Sequence, residues 1–152
     1  MPVEFHRDRF TVSTDPGRLD REAIHAALQE SYWAPNRPRE VVDRSLQNSV
    51  AFGLYDGDRQ IGMARVVTDY ATFAWICDVY VLEAYRGQGL GKWLMQCVVS
   101  HPEMQQMRRW LLATRDAHEL YRRYGFNELA MPERWMEMRP ADSPDNRVRS
   151  GG

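Results

Sequence analysis

Hydrophobic and polar positions follow a strand-like period in some segments of the chain and a helical period in others. Residues 9–14, RFTVST, alternate and predict a short strand. Apolar residues recur at helical spacing in residues 19–31, LDREAIHAALQES, and prolines within residues 32–38 end that helix. A second short helix is predicted over residues 41–48. The chain therefore opens with a strand followed by two helices.

The middle of the chain is rich in β-branched and aromatic residues. Residues 49–69 contain two strand-like runs joined at Asp56 and Gly57, which suit the positive φ angles of a tight hairpin. Residues 72–82, TFAWICDVYVL, are apolar almost throughout, which is typical of a strand with both faces covered. We expect an antiparallel hairpin followed by a central strand.

Helical and strand-like patterns alternate through the rest of the chain. The predicted elements are a helix from Leu90 to His101, a strand over residues 109–114, a short helix ending at Gly125, and strands over residues 126–130 and 135–139.

The composition is that of one globular domain. The 152 residues are 43% hydrophobic and 27% charged, and no run approaches the length of about 20 apolar residues that a membrane helix needs. We place the domain at residues 1–140 and expect residues 141–152 to form a disordered tail. Charged residues near the N-terminus do not fit a secretory signal, so we expect a cytoplasmic protein that does not bind a membrane.

Charge and cysteine content narrow the function further. A net charge of -1 provides no field for gathering DNA or RNA, so we expect no nucleic-acid partner. Cys77 and Cys97 fit buried thiols in a reducing compartment. The segment HELYR has Arg122 where a zinc helix needs its second histidine, so we expect no metal.

The segment YRGQGLGKWLM, residues 85–95, joins a strand to a helix through three glycines. Such a turn predicts an anion site, because the first N–H groups of a helix lack internal partners. Arg86 and Trp93 break the pattern of a P-loop, and Lys92 replaces the third glycine of a dinucleotide fingerprint. A surface turn without a ligand is the alternative, but three glycines flanked by cations favour phosphate binding.

The pattern Arg86-x-x-Gly89-x-Gly91, with DVYVLEAY before it and LYRRYGF after it, resembles the GCN5-related N-acetyltransferase (GNAT) superfamily over residues 8–139. The resemblance implies that backbone N–H groups of the loop bind the pyrophosphate of acetyl-coenzyme A and that the preceding strand binds its pantetheine arm. It also implies that the next strand splays away and admits the thioester. The coenzyme residues so implied are Val79, Tyr80, Val81, Arg86, Gly87, Gln88, Gly89, Leu90, Gly91 and Lys92.

The resemblance implies both a fold and an activity. The fold is mixed α/β: a twisted, mostly antiparallel sheet with a central splayed parallel strand pair and helices on both faces. The activity is acetyl transfer from acetyl-coenzyme A to a primary amine of a small molecule or peptide, by direct attack in a ternary complex. A non-catalytic sensor or interaction module that binds acyl-coenzyme A is the alternative, and a retained acid distinguishes the two.

Tyr121 matches the family's position for the acid that protonates the leaving thiolate. A tyrosine, with a pKa of about 10, can protonate the thiolate of coenzyme A, whose thiol has a pKa of about 8.5, at modest energetic cost. Packing of Tyr121 as a core aromatic is the alternative. Thr114 stands where many family members have an asparagine that contacts the pantetheine, and its alternative is a β-branched residue at a strand end.

Asp78 is the acidic residue inside the apolar central strand and is a candidate general base. Burial in an apolar sheet should raise its pKa towards a useful range. Residues 76, 78 and 80 are expected to share one face, and a structural ion pair is equally compatible with the pattern. Glu83 is a second candidate base, although a solvated loop acid is the commoner role for such a residue. An acyl-enzyme on Cys77 is discounted because no histidine is placed near it.

Aromatic residues mark the segments where the resemblance places the acceptor. Tyr32, Trp33, Phe73 and Trp75 are candidates for a pocket that binds a small apolar or aromatic amine. Core packing or a homodimer contact explains such side chains nearly as well. Arg37 and Arg39 are candidates for binding an acceptor carboxylate, although a solvated helix start is the commoner role.

Overall fold

The structure is a computed structural model that describes residues 1–146. Within these residues the backbone forms strands, α-helices and short 3₁₀ turns. The strands are β1 (Glu4–Arg7), β2 (Phe10–Ser13), β3 (Val50–Asp56), β4 (Arg59–Thr68), β5 (Phe73–Val81) and β6 (Arg109–Leu112). The α-helices are α1 (Arg21–Gln29), α2 (Arg39–Gln47), α3 (Leu90–Val99) and α4 (His118–Arg122).

The strands form one sheet in the order β1-β2-β3-β4-β5-β6. Every neighbouring pair is antiparallel except β5 and β6, which run parallel. The predicted mixed α/β fold with a largely antiparallel sheet is therefore confirmed. The sequence analysis missed β1, whose residues EFHR are mostly polar and exposed and lack an apolar period.

The parallel pair lies at one end of the sheet and not at its centre, because no strand lies outside β6 among residues 1–146. The strands predicted over residues 126–130 and 135–139 do not form, so those predictions are wrong. A 3₁₀ turn at Pro132–Arg134 separates the two segments, and proline cannot donate an N–H group to a sheet. Met136 and Met138 stay exposed, so the alternation in this segment is not matched by burial.

Helices cover both faces of the sheet, and each face has its own core. On one face, Phe52 of β3 packs with Leu94 and other residues of α3 in the larger core. On the other face, Ala51 packs with Ile24 of α1 and Val42 of α2 in a smaller core. Successive side chains of β3 therefore pack into opposite cores, because side chains along a strand alternate between the two faces of the sheet. We call these the α3 core and the α1–α2 core.

A β-bulge at Asp78 interrupts the pairing of β4 with β5. The register shifts between Met63 and Arg65, and Asp78 has a left-handed φ of 52°. Ile76 and Val79 consequently both face the α3 core, whereas Tyr80 packs against the α1–α2 core. The expectation that residues 76, 78 and 80 share one face is wrong, because the inserted residue reverses the alternation.

Part of the predicted tail is described. Residues 144–146 form a 3₁₀ turn, and the Asp145 carboxylate accepts a hydrogen bond from Arg37 at 2.9 Å. Residues 147–152 lie outside the described residues. Within the described part of the chain, no helix combines the length and apolar character needed to cross a bilayer.

The hairpin between β3 and β4 forms at the predicted place. Asp56 pairs with Arg59, and Gly57 in the turn has a φ of 60°. Further along β4, Gly62 lies very close to β5. A Cβ atom on Gly62 would lie 2.7 Å from the carbonyl oxygen of Tyr80, so glycine is needed for this approach.

Gly62→Ala is expected to lower the free energy of unfolding by about 1–3 kcal/mol, because the methyl group must displace the backbone of β5. Gly91→Ala is the matched control, since a Cβ there meets no atom within 4 Å and alanine favours a helix. Urea unfolding followed by circular dichroism measures both changes. Wild-type stability in Gly62→Ala would contradict the close approach.

Candidate active site

The loop between β5 and α3 uses glycines in conformations that other residues avoid. Gly87 and Gly89 have φ angles of 85° and 80°. Gly89 precedes α3, and no side chain caps the helix there. A Cβ atom on Gly87, Gly89 or Gly91 would meet no atom within 4 Å, so the loop surface is open where those side chains would lie.

The backbone N–H groups of this loop are available for an anion. The first helical hydrogen bond of α3 runs from Trp93 N to Gly89 O at 3.1 Å, and no partner within residues 1–146 takes the N–H groups of residues 87–92. Unpaired N–H groups and the positive end of the helix dipole together stabilise phosphate groups. With three Cβ atoms missing, a diphosphate can approach this backbone closely, and the loop fits that ligand.

Two side chains brace the loop from its ends. Arg86 Nε donates to the carbonyl of Val81 at 2.9 Å, which ties the loop to the end of β5. The hydroxyl of Tyr124 donates to the carbonyl of Lys92 at 2.6 Å, which ties the start of α3 to the segment after α4. Arg86 thus has a structural contact that the motif alone did not predict.

Pairing between the two parallel strands ends before the glycine loop. β5 and β6 pair over four residues, and the last pair is Ile76 with Leu112. β5 continues to Val81, so its final residues have no β6 partner. The last residues of β5 therefore have an edge without a β6 partner, at the place where the resemblance implies that the strands splay. Val79, Tyr80 and Val81 lie on this edge.

Asp78 joins three segments of the chain through its carboxylate. Oδ2 accepts hydrogen bonds from Arg37 Nη1 and Arg65 Nε, both at 2.8 Å. Oδ1 accepts a hydrogen bond from Trp33 Nε1 at 2.9 Å. The Asp78 side chain is only 2% exposed. Asp78 therefore connects β5 with β4 and with the segment between α1 and α2.

The expectation that Asp78 has a raised pKa is wrong. Burial alone would raise the pKa of Asp78, but the charges of Arg65 and Arg37 and their hydrogen bonds outweigh it, and the pKa lies below its ordinary value. Asp78 is therefore ionised at neutral pH and held by three donors. This geometry supports the ion-pair interpretation over the general-base interpretation.

Tyr121 lies on α4 and packs into the α3 core, where it is 8% exposed. Its ring contacts Phe126 edge to face, with centroids 6.0 Å apart. Burial raises the pKa of Tyr121, and the nearby Tyr32 adds to the effect. Tyr121 is thus a core aromatic whose hydroxyl keeps its proton at neutral pH, so the acid role remains a prediction. Thr114 accepts a hydrogen bond from Ala117 N at 3.1 Å, which orders the turn before α4.

Tyr32 and Trp33 form the aromatic part of the segment between α1 and α2. Their rings meet edge to face with centroids 5.1 Å apart. The Tyr32 hydroxyl accepts a hydrogen bond from Arg115 N at 3.1 Å, and the Arg115 guanidinium lies over the Tyr32 ring. These contacts join the α1–α2 segment to the chain after β6.

Phe73 and Trp75 lie at the start of β5. Ala74 between them is buried in the α3 core, so these two aromatic residues face the α1–α2 side of the sheet. Trp75 is 46% exposed, and Phe73 is half-buried. The structure thus places Trp75 and the Tyr32–Trp33 pair on the same side of β5, while their role in acceptor binding remains a prediction.

Sequence reasoning missed Arg65 and the burial of Arg37. Arg65 stands inside the apolar strand β4, and hairpin register places it opposite Cys77, next to Asp78. An arginine in one buried strand and an aspartate in the next were the signal for this pair. Arg39 instead pairs with Asp43 one helical turn away at 3.1 Å, as expected of a solvated helix start.

Other candidates from the sequence have less to support them. Burial raises the pKa of Cys77 to about 11, so its thiol is a poor nucleophile at neutral pH. Glu83 is exposed after the end of β5. His101 caps a 3₁₀ turn by accepting a hydrogen bond from Glu103 N at 3.1 Å.

Comparison with known protein sequences agrees with this geometry. The acetyltransferase (GNAT) domain profile matches residues 47–128. A protein of Gibberella zeae described as an acetyltransferase, FG08082, is 32% identical over 143 residues, which cover 79% of this chain and 80% of that relative. Histone acetyltransferase TAP1 of Glycine max is 32% identical over 123 residues, which cover 72% of this chain and 53% of that relative.

Solved structures extend the agreement to the fold. A GNAT-family protein from Xanthomonas campestris pv. campestris is 45% identical with a TM-score of 0.84, covering 86% of this chain and 93% of that one. A Clostridium acetobutylicum protein crystallised with acetyl-coenzyme A is 15% identical with a TM-score of 0.61, covering 91% of this chain and 96% of that one, and shares the fold. The domain profile, the curated relatives and the glycine loop agree, and this chain belongs to the GCN5-related N-acetyltransferase superfamily.

Proposed function

We propose that this acetyltransferase moves the acetyl group of acetyl-coenzyme A to a primary amine of a small molecule or peptide within a ternary complex. The observation that carries the proposal is the open glycine loop, where the N–H groups have no hydrogen-bond partner within residues 1–146 and a Cβ atom on any of the three glycines would meet no atom of the described chain within 4 Å. We assign the activity to a single domain, residues 1–140. The Clostridium acetobutylicum relative, which holds acetyl-coenzyme A on the same fold, supports this choice of donor.

The proposal divides donor binding between the loop and the open edge of β5. Backbone N–H groups of residues 87–92 would bind the diphosphate, with Arg86 and Lys92 adding positive charge. Backbone groups of Val79, Tyr80 and Val81 would bind the pantetheine arm, with Thr114 at the far side of the gap. The bound donor supplies an activated thioester.

Tyr121 is the proposed acid. Its raised pKa keeps the hydroxyl protonated at neutral pH, which an acid requires. The same shift increases the cost of full proton transfer, so we expect the hydroxyl to act first as a hydrogen-bond donor to the leaving sulfur. The attacking amine must be neutral, and Asp78 is a poor acceptor of its proton because its pKa is lowered. We therefore assign that proton to water.

Gly89→Val is expected to raise the Kd for acetyl-coenzyme A by about tenfold or more, because charge-assisted hydrogen bonds contribute about 1.5–3 kcal/mol each. The side chain would fill the open loop surface and strain a positive φ. Gly57→Val is the matched control, since Gly57 has a φ of 60° and equally open surroundings but lies in the turn between β3 and β4, outside the glycine loop. Calorimetry measures both, and equal affinities in the two variants would contradict the loop assignment.

Tyr121→Phe is expected to lower kcat by about 100-fold while leaving acetyl-coenzyme A affinity unchanged, because the hydroxyl acts in the transition state. Tyr55→Phe is the matched control, since the hydroxyl of that buried tyrosine has no hydrogen-bond partner within residues 1–146. Thiol release measures turnover. Wild-type turnover in Tyr121→Phe would leave Tyr121 as a core aromatic, and coenzyme binding without turnover in the wild-type protein would favour a sensor.

A further inference from the structure

Two buried guanidinium groups share one strand carboxylate. The side chains of Arg37 and Arg65 are 11% and 12% exposed, and both bind Oδ2 of Asp78 at 2.8 Å. One negative charge does not balance two positive charges, and a buried charge without a counterion is strongly unfavourable. The cluster therefore needs a second anion.

Asp145 supplies that anion from the C-terminal end of the described chain. Its Oδ2 accepts a hydrogen bond from Arg37 Nε at 2.9 Å. Asp145 lies in a three-residue 3₁₀ turn that belongs to neither the sheet nor the α-helices. Arg65 and Asp78, by contrast, lie on paired strands. Of the four charged groups, Asp145 is therefore the one whose release disturbs the fold least.

The Asp145 carboxylate also lacks one of its hydrogen bonds. Its Oδ1 atom is buried and has no hydrogen-bond partner within residues 1–146. Both oxygens of Asp78 are hydrogen-bonded. Permanent buried ion pairs normally satisfy their polar atoms, and an orphaned oxygen offsets part of the attraction. A carboxylate from a ligand, with its second oxygen hydrogen-bonded or hydrated, can compete with Asp145 for Arg37.

The Arg37 site lies where acceptor and donor would meet. Asp78, which holds Arg37, immediately precedes the donor segment that begins at Val79. Trp33 donates to the same carboxylate, and Tyr32 packs on Trp33. The Tyr32 hydroxyl accepts a hydrogen bond from Arg115 N, in the segment that leads into α4 and the proposed acid Tyr121. An anion on Arg37 would thus be anchored beside the reacting groups.

We propose that the Arg37 guanidinium is the anion subsite of the acceptor site, and that the acceptor is a small amine carrying a carboxylate that takes the place of Asp145. The proposal rests on the proposed function. A singly charged carboxylate is favoured over phosphate because the cluster lacks one negative charge once Asp145 leaves. The planar guanidinium fork also suits a carboxylate. Arg37 is then a specificity-determining residue. When no acceptor is bound, the Asp145 carboxylate occupies the anion-binding position on Arg37.

The test compares amines that differ only in the carboxylate. Tyrosine with tyramine is the aromatic pair, and lysine with cadaverine is the aliphatic pair. Calorimetry on the full chain with coenzyme A present is expected to show that one carboxylate-bearing amine binds about tenfold more tightly than its decarboxylated partner, as one charge-assisted contact predicts. Absence of a preference in both pairs would overturn the proposal.

Variants separate the subsite from general effects. Asp145→Asn is expected to increase affinity for the preferred carboxylate-bearing amine several-fold and to leave its decarboxylated partner unaffected. Arg37→Gln should abolish the preference, and Arg39→Gln, which removes an exposed arginine paired with Asp43, should retain it. Circular dichroism checks folding, and Asp145→Asn keeps the proposal testable if Arg37→Gln unfolds. Unchanged or weaker binding in Asp145→Asn would contradict the exchange.

The same samples distinguish this proposal from the proposed function. Acetyl-coenzyme A binding and thiol release with tyramine or cadaverine, but without any carboxylate preference, would overturn the Arg37 subsite alone. Failure of the wild-type chain to bind acetyl-coenzyme A would overturn the proposed function. A carboxylate preference in the calorimetry would then still identify Arg37 as an anion site.

Discussion

The ion pairs of Asp78 with Arg37 and Arg65 stabilise the irregular part of β5 on which the site depends. Asp78 adopts a left-handed φ, which costs about 1–3 kcal/mol for a residue other than glycine. Three hydrogen bonds to its carboxylate offset that cost. The bulge turns Val79 towards the α3 core and Tyr80 towards the α1–α2 core. The edge that would receive the donor therefore begins at the residue that the ion pairs hold.

The ion pairs of Asp78 with Arg37 and Arg65 also restrict the proton transfers that the site can perform. Burial by itself would raise the pKa of Asp78, but the two arginines lower it and both donate to Oδ2, while Trp33 donates to Oδ1. The site is thus arranged to keep a carboxylate charged and fixed rather than to cycle a proton through it. Tyr121 shows the opposite case, since burial raises its pKa without a cation to compensate. Asp78 therefore stays ionised and fixes the geometry, whereas Tyr121 keeps its proton at neutral pH.

Local sequence patterns predicted the parts of the fold that depend on residues adjacent in the sequence. The hairpin at Gly57 and the turn at Gly89 follow from glycines that accept positive φ angles, and both formed where expected. The bulge at Asp78 was not predictable, because its stabilisation comes from Arg65 on another strand and Arg37 before α2. The strand predicted over residues 135–139 failed for a related reason: alternation alone does not provide a neighbouring strand.

The bulge also shows how one strand could contact both of the proposed ligands. Val79 and Val81 pack their side chains on the α3 side, so the proposed donor would bind along the unpaired backbone edge of β5 rather than on the face that these side chains cover. Asp78 lies against Trp33 and Arg37, so the proposed acceptor would lie against the segment between α1 and α2. A regular strand would send residues 76, 78 and 80 to one face. The extra residue instead sends Ile76 and Tyr80 to opposite cores and places the charged cluster at Asp78, directly before the residues of the proposed donor edge.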